Sequence, residues 1–306
     1  MSLAKKLSTA LNETRLLILG GQVLFGFEFN GVFQEGFTSL PWHSRALHCL
    51  SLFFMLLAIG LLIAPSMQHR IVERGEETRR ILRATSLLAG LALLPFALSL
   101  SIDIFIGMET IHDSRAGLVS GAIFAMLAGV LWYALGFGVR AHRGERPVQD
   151  QEKPTPLSTK IDQMLTEARV VLPGAQALLG FQLTVTLTNA FQHLPPSAKH
   201  AHAVALCCVG LAIVLLMTPA ALHRIGFKGE ESKSFLGMGS AFVMTAPLPL
   251  AIGIATDIYV AIGKAVESQK GGILAGVAAI CVLLLLWYLL PLLIRRQRQA
   301  SIAKEA

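Results

Sequence analysis

The chain has 306 residues, of which 54% are hydrophobic and only 15% are charged. A soluble domain carries about 25% charged residues, so this composition argues against a water-soluble fold and indicates a protein whose main partner is a lipid bilayer. The net charge of +7 does not indicate nucleic-acid binding, because the basic residues stand at the ends of apolar runs rather than on one polar face.

Eight apolar runs of about 20 residues follow one another along the chain. Each is long enough to cross about 30 Å of hydrocarbon as an α-helix. We therefore predict an all-α polytopic membrane protein with eight transmembrane helices. The runs cover residues 16–33, 46–65, 81–106, 118–139, 170–191, 201–222, 235–262 and 272–294.

The second half of the chain repeats the first at an offset of 154 residues. Residues 13–15 correspond to 167–169, and residues 69–71 correspond to 223–225. A repeat of this length indicates a duplication. We predict two four-helix repeats, residues 1–143 and 160–306, joined by a linker at 144–159. An even number of crossings in each repeat makes the two repeats parallel.

Arginine and lysine are concentrated after every second apolar run, which predicts the orientation of the helices. Cytoplasmic loops are enriched in these residues, so both termini and the linker are expected to be cytoplasmic. Trp132 and Trp287, each followed by a tyrosine, are typical of an aromatic belt at the membrane surface.

Two aspartates lie inside apolar runs at matching positions of the two repeats. Asp103 and Asp257 stand near the ends of runs three and seven, and His48 and His202 stand at a similar depth in runs two and six. A buried carboxylate needs a partner. Each repeat therefore holds either a His–Asp pair that relays protons, or an aspartate that only bonds a neighbouring helix or loop.

Glu28 lies deep in the first run, where an ionisable residue is a functional candidate. Its counterpart in the second repeat is Gln182, so a function of Glu28 would belong to one repeat only. The other interpretation is a hydrogen bond between helices. Gly26 and Gly180 are expected to permit close helix approach beside this polar stripe.

Prolines interrupt runs three and seven at matching positions, Pro95 in the first repeat and Pro247 and Pro249 in the second. A proline inside a helix removes one backbone hydrogen bond and bends the helix. Paired interruptions of this kind point to a transport site. The alternative is a static kink that serves packing.

Charged residues recur as a set at the expected cytoplasmic edge of both repeats. Such a set forms either ion pairs that anchor the protein at the membrane edge or a gate. The set consists of Glu13, Arg15, His69 and Arg70 in the first repeat and Glu167, Arg169, His223 and Arg224 in the second.

The sequence predicts no enzyme, no cofactor and no metal site. The four cysteines lie in apolar runs without a CxxC pair, and no nucleotide-binding loop, GxSxG or HExxH motif occurs. Haem ligation by His48 and His202 is disfavoured, because no second pair of ligands lies at a matching depth.

The motif Asn12-Glu-Thr-Arg15, followed by Gly20-Gly-Gln22-Val-Leu-Phe-Gly26-Phe27, resembles an uncharacterised family of small four-helix bacterial membrane proteins. The resemblance covers nearly the whole chain, once per repeat. Some members carry the label sodium:proton antiporter. The resemblance implies a bacterial inner (plasma) membrane protein in which the fusion of two units stands in for a dimer of single-unit members. A homo-oligomer of the present chain is a further expectation.

From these features the sequence favours a transporter or channel. We expect protons or a small cation to move between the two repeats, with Asp103, Asp257, His48, His202 and Glu28 as the charge relay. The alternative is a membrane assembly partner or lipid-binding module that transports nothing.

Overall fold

The computed structural model describes residues 3–134, 155–225, 227 and 231–305. Every regular element in these ranges is helical. The long helices are numbered α1 to α8. A 3₁₀ turn (Glu35–Ser39) and one short helix (Asn189–Gln192) lie in the loops after α1 and α5. The helices are α1 (Leu3–Gly31), α2 (Trp42–Ile71), α3 (Arg79–Ile111), α4 (Ser114–Ala128), α5 (Leu157–Thr186), α6 (Pro196–Ile225), α7 (Lys233–Ala265) and α8 (Gln269–Leu284, continued by Leu290–Glu305).

Six of these helices, α2 to α4 and α6 to α8, are long and apolar enough to cross a membrane. The chain therefore has the helices of an integral membrane protein. Within the described ranges, α1 and α5 do not reach the same mean hydropathy, because they include polar residues such as Glu28 and Gln182 and end at Gly31 and Thr186. The prediction of eight crossings stays a prediction.

The helices α1 and α5 pack against each other at the centre, between the two repeats. A Cβ atom added to Gly26 would lie 2.1 Å from the Phe181 ring, and one added to Gly174 would lie 1.6 Å from the Gln22 side chain. These two glycines permit the close approach. We expected the same role for Gly180, but a Cβ atom added to it would have no neighbour within 4 Å among the described residues. That expectation was therefore wrong.

The two repeats pack differently at their fourth helices. A π-helical turn (Leu285–Leu289) carries Trp287, which is fully buried and donates a hydrogen bond of 2.9 Å to the carbonyl of Gly60 on α2. Its counterpart Trp132 lies on a second π-helical turn (Gly129–Ala134), is half-buried and contacts Phe96 of its own repeat. The predicted aromatic belt was wrong for Trp287, because its ring enters a helix interface that forms around a glycine.

The prolines affect α3 and α7 differently. The helix α3 runs continuously through Pro95, whereas α7 is interrupted by a turn at Ala246 and restarts at Pro247, with Pro249 in its first turn. The Tyr133 hydroxyl donates to the Gly90 carbonyl (2.9 Å), and the Tyr288 hydroxyl donates to the Met244 carbonyl (2.7 Å). Each tyrosine thus satisfies a carbonyl one turn before the proline of its repeat.

Candidate functional site

The first repeat brings two carboxyl groups together around two serine hydroxyls. The Ser99 hydroxyl donates to Glu28 Oε1 (2.8 Å), and the Ser51 hydroxyl donates to Asp103 Oδ1 (3.0 Å). The two serine hydroxyls are 2.8 Å apart, and both serines are fully buried. Three helices, α1, α2 and α3, therefore contribute to one polar site in an apolar interior.

Glu28 and Asp103 also lie within hydrogen-bonding reach of each other. The second carboxyl oxygen of Glu28 is buried and receives no hydrogen bond from a donor in the described residues. Two carboxylates cannot both stay charged in such a site without a proton or a cation between them. We name Glu28, Ser51, Ser99 and Asp103 the dicarboxylate site.

His48 contacts this site through the backbone rather than through Asp103. Its Nε2 lies 2.8 Å from the Glu28 carbonyl oxygen. A carbonyl oxygen can only accept a hydrogen bond, so Nε2 carries a proton. The structure therefore gives Asp103 a serine hydroxyl on α2 as its hydrogen-bond partner, which agrees with the alternative of a bond to a neighbouring helix rather than with a His–Asp pair.

The second repeat has a site at the matching position with different chemistry. Asp257 Oδ2 accepts a hydrogen bond of 2.7 Å from the Gln182 side-chain amide. His202 Nδ1 lies 3.6 Å from Asp257 Oδ1, and His202 Nε2 lies 3.0 Å from the Gln182 carbonyl oxygen. We name Gln182, His202 and Asp257, all of which are fully buried, the His–Asp site.

In the His–Asp site, His202 Nδ1 and Asp257 Oδ1 face each other with no donor between them. Nε2 of His202 donates to a carbonyl, so in the neutral ring Nδ1 has only a lone pair. Neither Nδ1 nor Asp257 Oδ1 has a hydrogen-bond partner among the described residues, although they face each other. A single proton on either atom would allow a hydrogen bond between them if the atoms moved from 3.6 Å to about 3 Å.

Aromatic side chains link the two sites across the centre of the molecule. Phe29, which follows Glu28, stacks on the His202 ring with centroids 5.9 Å apart. Phe191 contacts the same histidine ring at 5.1 Å, and Phe33 contacts Phe191 at 6.5 Å. Beyond them a cavity of about 470 Å³ is lined by residues of both loops, among them Glu35 and Asn189.

The opposite end of the interface between repeats is closed by a buried ion cluster. Glu167 on α5 contacts His69 Nδ1 (2.9 Å) and pairs with Arg70 Nε, and both partners lie on α2 of the other repeat. Arg70 also donates to the Ser240 hydroxyl on α7 (3.3 Å). We name His69, Arg70 and Glu167 the inter-repeat cluster.

Among the other residues predicted at this edge, Arg169 and His223 do not join the inter-repeat cluster. Arg169 is exposed, and Arg15 is half-buried with contacts of its own. His223 stacks on Phe235 with centroids 4.7 Å apart. The side chains of Glu13 and Arg224 lie outside the described part of the structure, so a second cluster related by the repeat cannot be compared.

A family model matches this chain twice, over residues 2–136 and 152–291. The matches cover most of the chain, once for each repeat. The chain belongs to a family of unknown function (DUF6328). It contains the DUF6328 unit as a tandem duplicate, as the sequence predicted. No curated protein and no solved structure matches the chain.

The two DUF6328 units differ at several polar positions of their sites. Glu28, Ser51 and Ser99 of the first unit are replaced in the second by Gln182, Ala205 and Gly253. A Cβ atom added to Gly253 would lie 2.6 Å from the Val209 side chain, so this position has no room for a serine. The replacement of one acid by an amide thus occurs together with the loss of both bridging hydroxyls.

The sequence indicated Gln182 as the counterpart of Glu28, but it did not indicate Ser51 and Ser99 as parts of the dicarboxylate site. Serine is common in membrane helices, and hydropathy gives it no weight. The spacing of Ser99 and Asp103 could have indicated that they belong to one site. Residues four apart lie on one face of a helix, here α3.

Proposed function

We propose that this DUF6328 protein crosses the bacterial inner membrane eight times, as two parallel four-helix repeats with both termini in the cytoplasm. The central position of α1 and α5 supports this, because helices shielded by six others tolerate a polar stripe. The cavity lined by Glu35 and Asn189 also supports it, since the loops after α1 and α5 meet at one end of the molecule.

We infer further that the protein moves protons or a small monovalent cation along a path between the two repeats. One observation carries this proposal: each repeat holds two proton acceptors that face each other and share no donor, and all of them except the half-buried Asp103 are buried. They are the carboxyl groups of Glu28 and Asp103 in one repeat, and His202 Nδ1 and Asp257 Oδ1 in the other.

The dicarboxylate site also has the ligand chemistry of a small hard cation. Its four side chains offer oxygen atoms only, with two carboxyl groups and two hydroxyls from three helices. Oxygen ligands of this kind suit hard cations rather than soft transition metals. A proton and a cation would compete for the same carboxyl groups, which is the basis of exchange.

The proposed path runs from the loop cavity, past Phe29 and His202, to the inter-repeat cluster. The rings of Phe29, Phe33 and Phe191 fill the region between the cavity and His202. The inter-repeat cluster joins α2 to α5 at the other end. Transport along this path requires both barriers to open, because a closed site excludes water.

Proton flux into proteoliposomes with an internal pH-sensitive dye tests the proposal. We expect wild-type protein to move protons when a sodium or potassium gradient is applied, and the double change Asp103→Asn and Asp257→Asn to reduce flux to that of empty liposomes. Asp162→Asn, which removes an exposed carboxylate, is the matched control and should keep full flux.

Infrared difference spectroscopy of the same variants measures the proposed shared protons directly. A protonated carboxyl group has a C=O band that a carboxylate lacks, and Asp103→Asn should remove one such band. Absence of flux by the wild type, or flux that survives the double change, would refute transport. The infrared result would then show whether the sites hold protons without moving them.

The second candidate function is a membrane assembly module that transports nothing. One observation favours it: a groove of about 990 Å³ runs along α3 and the end of α4, and it is lined by apolar side chains such as Leu87, Leu91 and Trp132. A groove of this size accommodates a partner helix or a second copy of the chain. Co-purification of one stoichiometric partner together with no flux would favour this function.

A further inference from the structure

A cleft with an uneven distribution of charge opens where the two repeats meet on the arginine-rich side of the molecule. It has a volume of about 490 Å³ and lies between α2 of the first repeat and α7 and α8 of the second. Three arginines line it, Arg70, Arg74 and Arg295. The rest of its wall is mostly apolar and includes Leu248 and Leu292.

Among the described residues, two of the three arginines in this cleft have no carboxylate partner. Arg70 pairs with Glu167, but its Nη2 atom is buried and has no hydrogen-bond partner among the described residues, and the whole side chain is only 3% exposed. No carboxylate of the described residues lies within ion-pair distance of Arg74 or Arg295. Two guanidinium groups and one free buried N–H donor therefore remain for a ligand.

The backbone around Arg74 brings these arginines to one place. Arg74 has φ of 51° and Gly75 has φ of 81°, so two successive residues adopt the left-handed conformation after the end of α2. That conformation costs a residue with a side chain roughly 1 kcal/mol or more. The turn directs the chain back beside Arg70, and the cleft is lined by both arginines.

We propose that this cleft binds the phosphate-bearing headgroup of an anionic phospholipid. Guanidinium groups bind phosphate oxygens through paired N–H donors, and basic clefts between membrane helices are suited to anionic headgroups. The half-exposed side chains of Leu248 and Leu292 extend the wall from the arginines toward the apolar surface, where an acyl chain lies. A free phosphate would leave this apolar wall without a partner, which favours a lipid as the source of the phosphate.

The bound headgroup would hold the two repeats together. Arg70 and Arg74 belong to the first repeat and Arg295 to the second, and Arg70 is also part of the inter-repeat cluster. The proposal does not depend on transport, because it rests on charge and shape at a place separate from the dicarboxylate and His–Asp sites.

Native mass spectrometry of the detergent-solubilised full chain tests the proposal with three probes: phosphatidylglycerol, phosphatidylcholine with the same acyl chains, and inorganic phosphate. We expect one tightly bound phosphatidylglycerol per chain and weaker binding of phosphatidylcholine. The double change Arg74→Gln and Arg295→Gln should weaken phosphatidylglycerol binding roughly 30-fold, because each basic residue near a membrane surface contributes about 1 kcal/mol.

The matched control removes the same charge from the same face. Arg80→Gln together with Arg296→Gln changes two exposed arginines outside the cleft and should leave binding within about twofold of the wild type. Leu248→Trp fills the apolar wall without changing the charge and should also weaken binding. Circular dichroism confirms that each variant keeps its helices.

Three outcomes would overturn the proposal. Equal loss in the control pair would mean that the whole face attracts lipid without a specific site. Equal affinity for phosphatidylglycerol and phosphatidylcholine would exclude recognition of the headgroup charge. Binding of inorganic phosphate as tight as that of phosphatidylglycerol, with no effect of Leu248→Trp, would identify a free-anion site instead.

Discussion

At the scale of single residues, the loop between α2 and α3 carries carboxylates that hold the start of α5. Glu76 pairs with Lys160 and accepts a hydrogen bond of 2.9 Å from the Thr155 backbone amide. Partial burial alone would raise the pKa of Glu76, but the hydrogen bonds from Lys160 and Thr155 outweigh it, and the pKa lies below its ordinary value. The ionised form of Glu76 therefore stabilises the folded state.

This lowered pKa predicts how stability changes with pH. The contribution of Glu76 is fully present above the unfolded pKa of about 4.3 and is lost as the pH falls through the lower folded pKa. At pH 7 we expect Glu76→Gln to lower the free energy of unfolding by about 0.5–1 kcal/mol, since water screens this partly exposed pair. Thermal unfolding in detergent from pH 3 to pH 7 measures the difference.

The control for this prediction is Glu35→Gln, which removes an exposed carboxylate at the other end of the molecule. It should change stability little at any pH in this range. A Glu76→Gln variant that stays less stable than the wild type by the same amount at pH 3 would contradict the assignment, because its charge would then be irrelevant.

The sequence was sufficient to find the ionisable residues of the sites but not their partners. Depth in an apolar run identified Glu28, Asp103 and Asp257, because a charge in hydrocarbon is costly wherever the helices pack. Partners depend on helix rotation and spacing, to which hydropathy is insensitive. Ser51 therefore bonds Asp103 in the first repeat, while in the second repeat His202 approaches Asp257.

At the scale of helices, the apolar runs located every long helix, but several ends differ. The run 170–191 predicted a helix that reaches Phe191, whereas α5 ends at Thr186. Thr188 then caps a separate short helix by accepting a hydrogen bond from the Phe191 amide. Hydroxyl caps of this kind end a helix without interrupting the apolar pattern, so hydropathy alone cannot place the boundary.

The two π-helical turns offer a matched pair of tryptophans for a stability test. Trp287→Ala removes a fully buried ring and its hydrogen bond to Gly60, and should cost about 3–5 kcal/mol of unfolding free energy. Trp132→Ala removes a half-buried ring and should cost clearly less. Denaturation in mixed detergent micelles, followed by circular dichroism, measures both.

A conservative change separates packing from hydrogen bonding at the same position. Trp287→Phe keeps a ring and loses the N–H donor, so about 1 kcal/mol should be lost by this variant. If Trp132→Ala proved as costly as Trp287→Ala, the different packing of the two fourth helices described above would be wrong.

At the scale of the whole molecule, the number of crossings decides how the repeats are related. With eight crossings, the loops after α1 and α5 lie on the same side of the membrane. With six, α1 and α5 do not cross, each repeat crosses three times, and the two loops would lie on opposite sides, an arrangement that does not agree with the cavity that both loops line. The repeat in the sequence predicted the duplication but could not distinguish these arrangements.

Labelling of single cysteines from one side of the membrane distinguishes them. Ser39→Cys and His193→Cys change exposed residues in the two loops, and an impermeant thiol reagent added to intact cells should label both. Gln299→Cys near the end of α8 is the control and should react only after the membrane is opened. Labelling of Ser39→Cys without His193→Cys would support six crossings.

Contacts between the repeats were the part of the structure that the sequence revealed least. The sequence placed Glu167, Arg169 and His223 in one recurring set without assigning partners, and in the structure Glu167 bonds His69 and Arg70 of the other repeat. An internal alignment shows which positions are equivalent. It carries no information about which copy supplies the partner.

The inter-repeat cluster has a consequence for how this gene can change. In an assembly of two identical single-unit chains, any substitution would appear on both sides of the interface at once. Here His69 and Arg70 lie in the first repeat and their partner Glu167 lies in the second. A substitution in one repeat therefore changes only one side of this contact. That freedom accounts for an acid with two serines in one unit and an amide, an alanine and a glycine in the other: covalent linkage let the halves specialise.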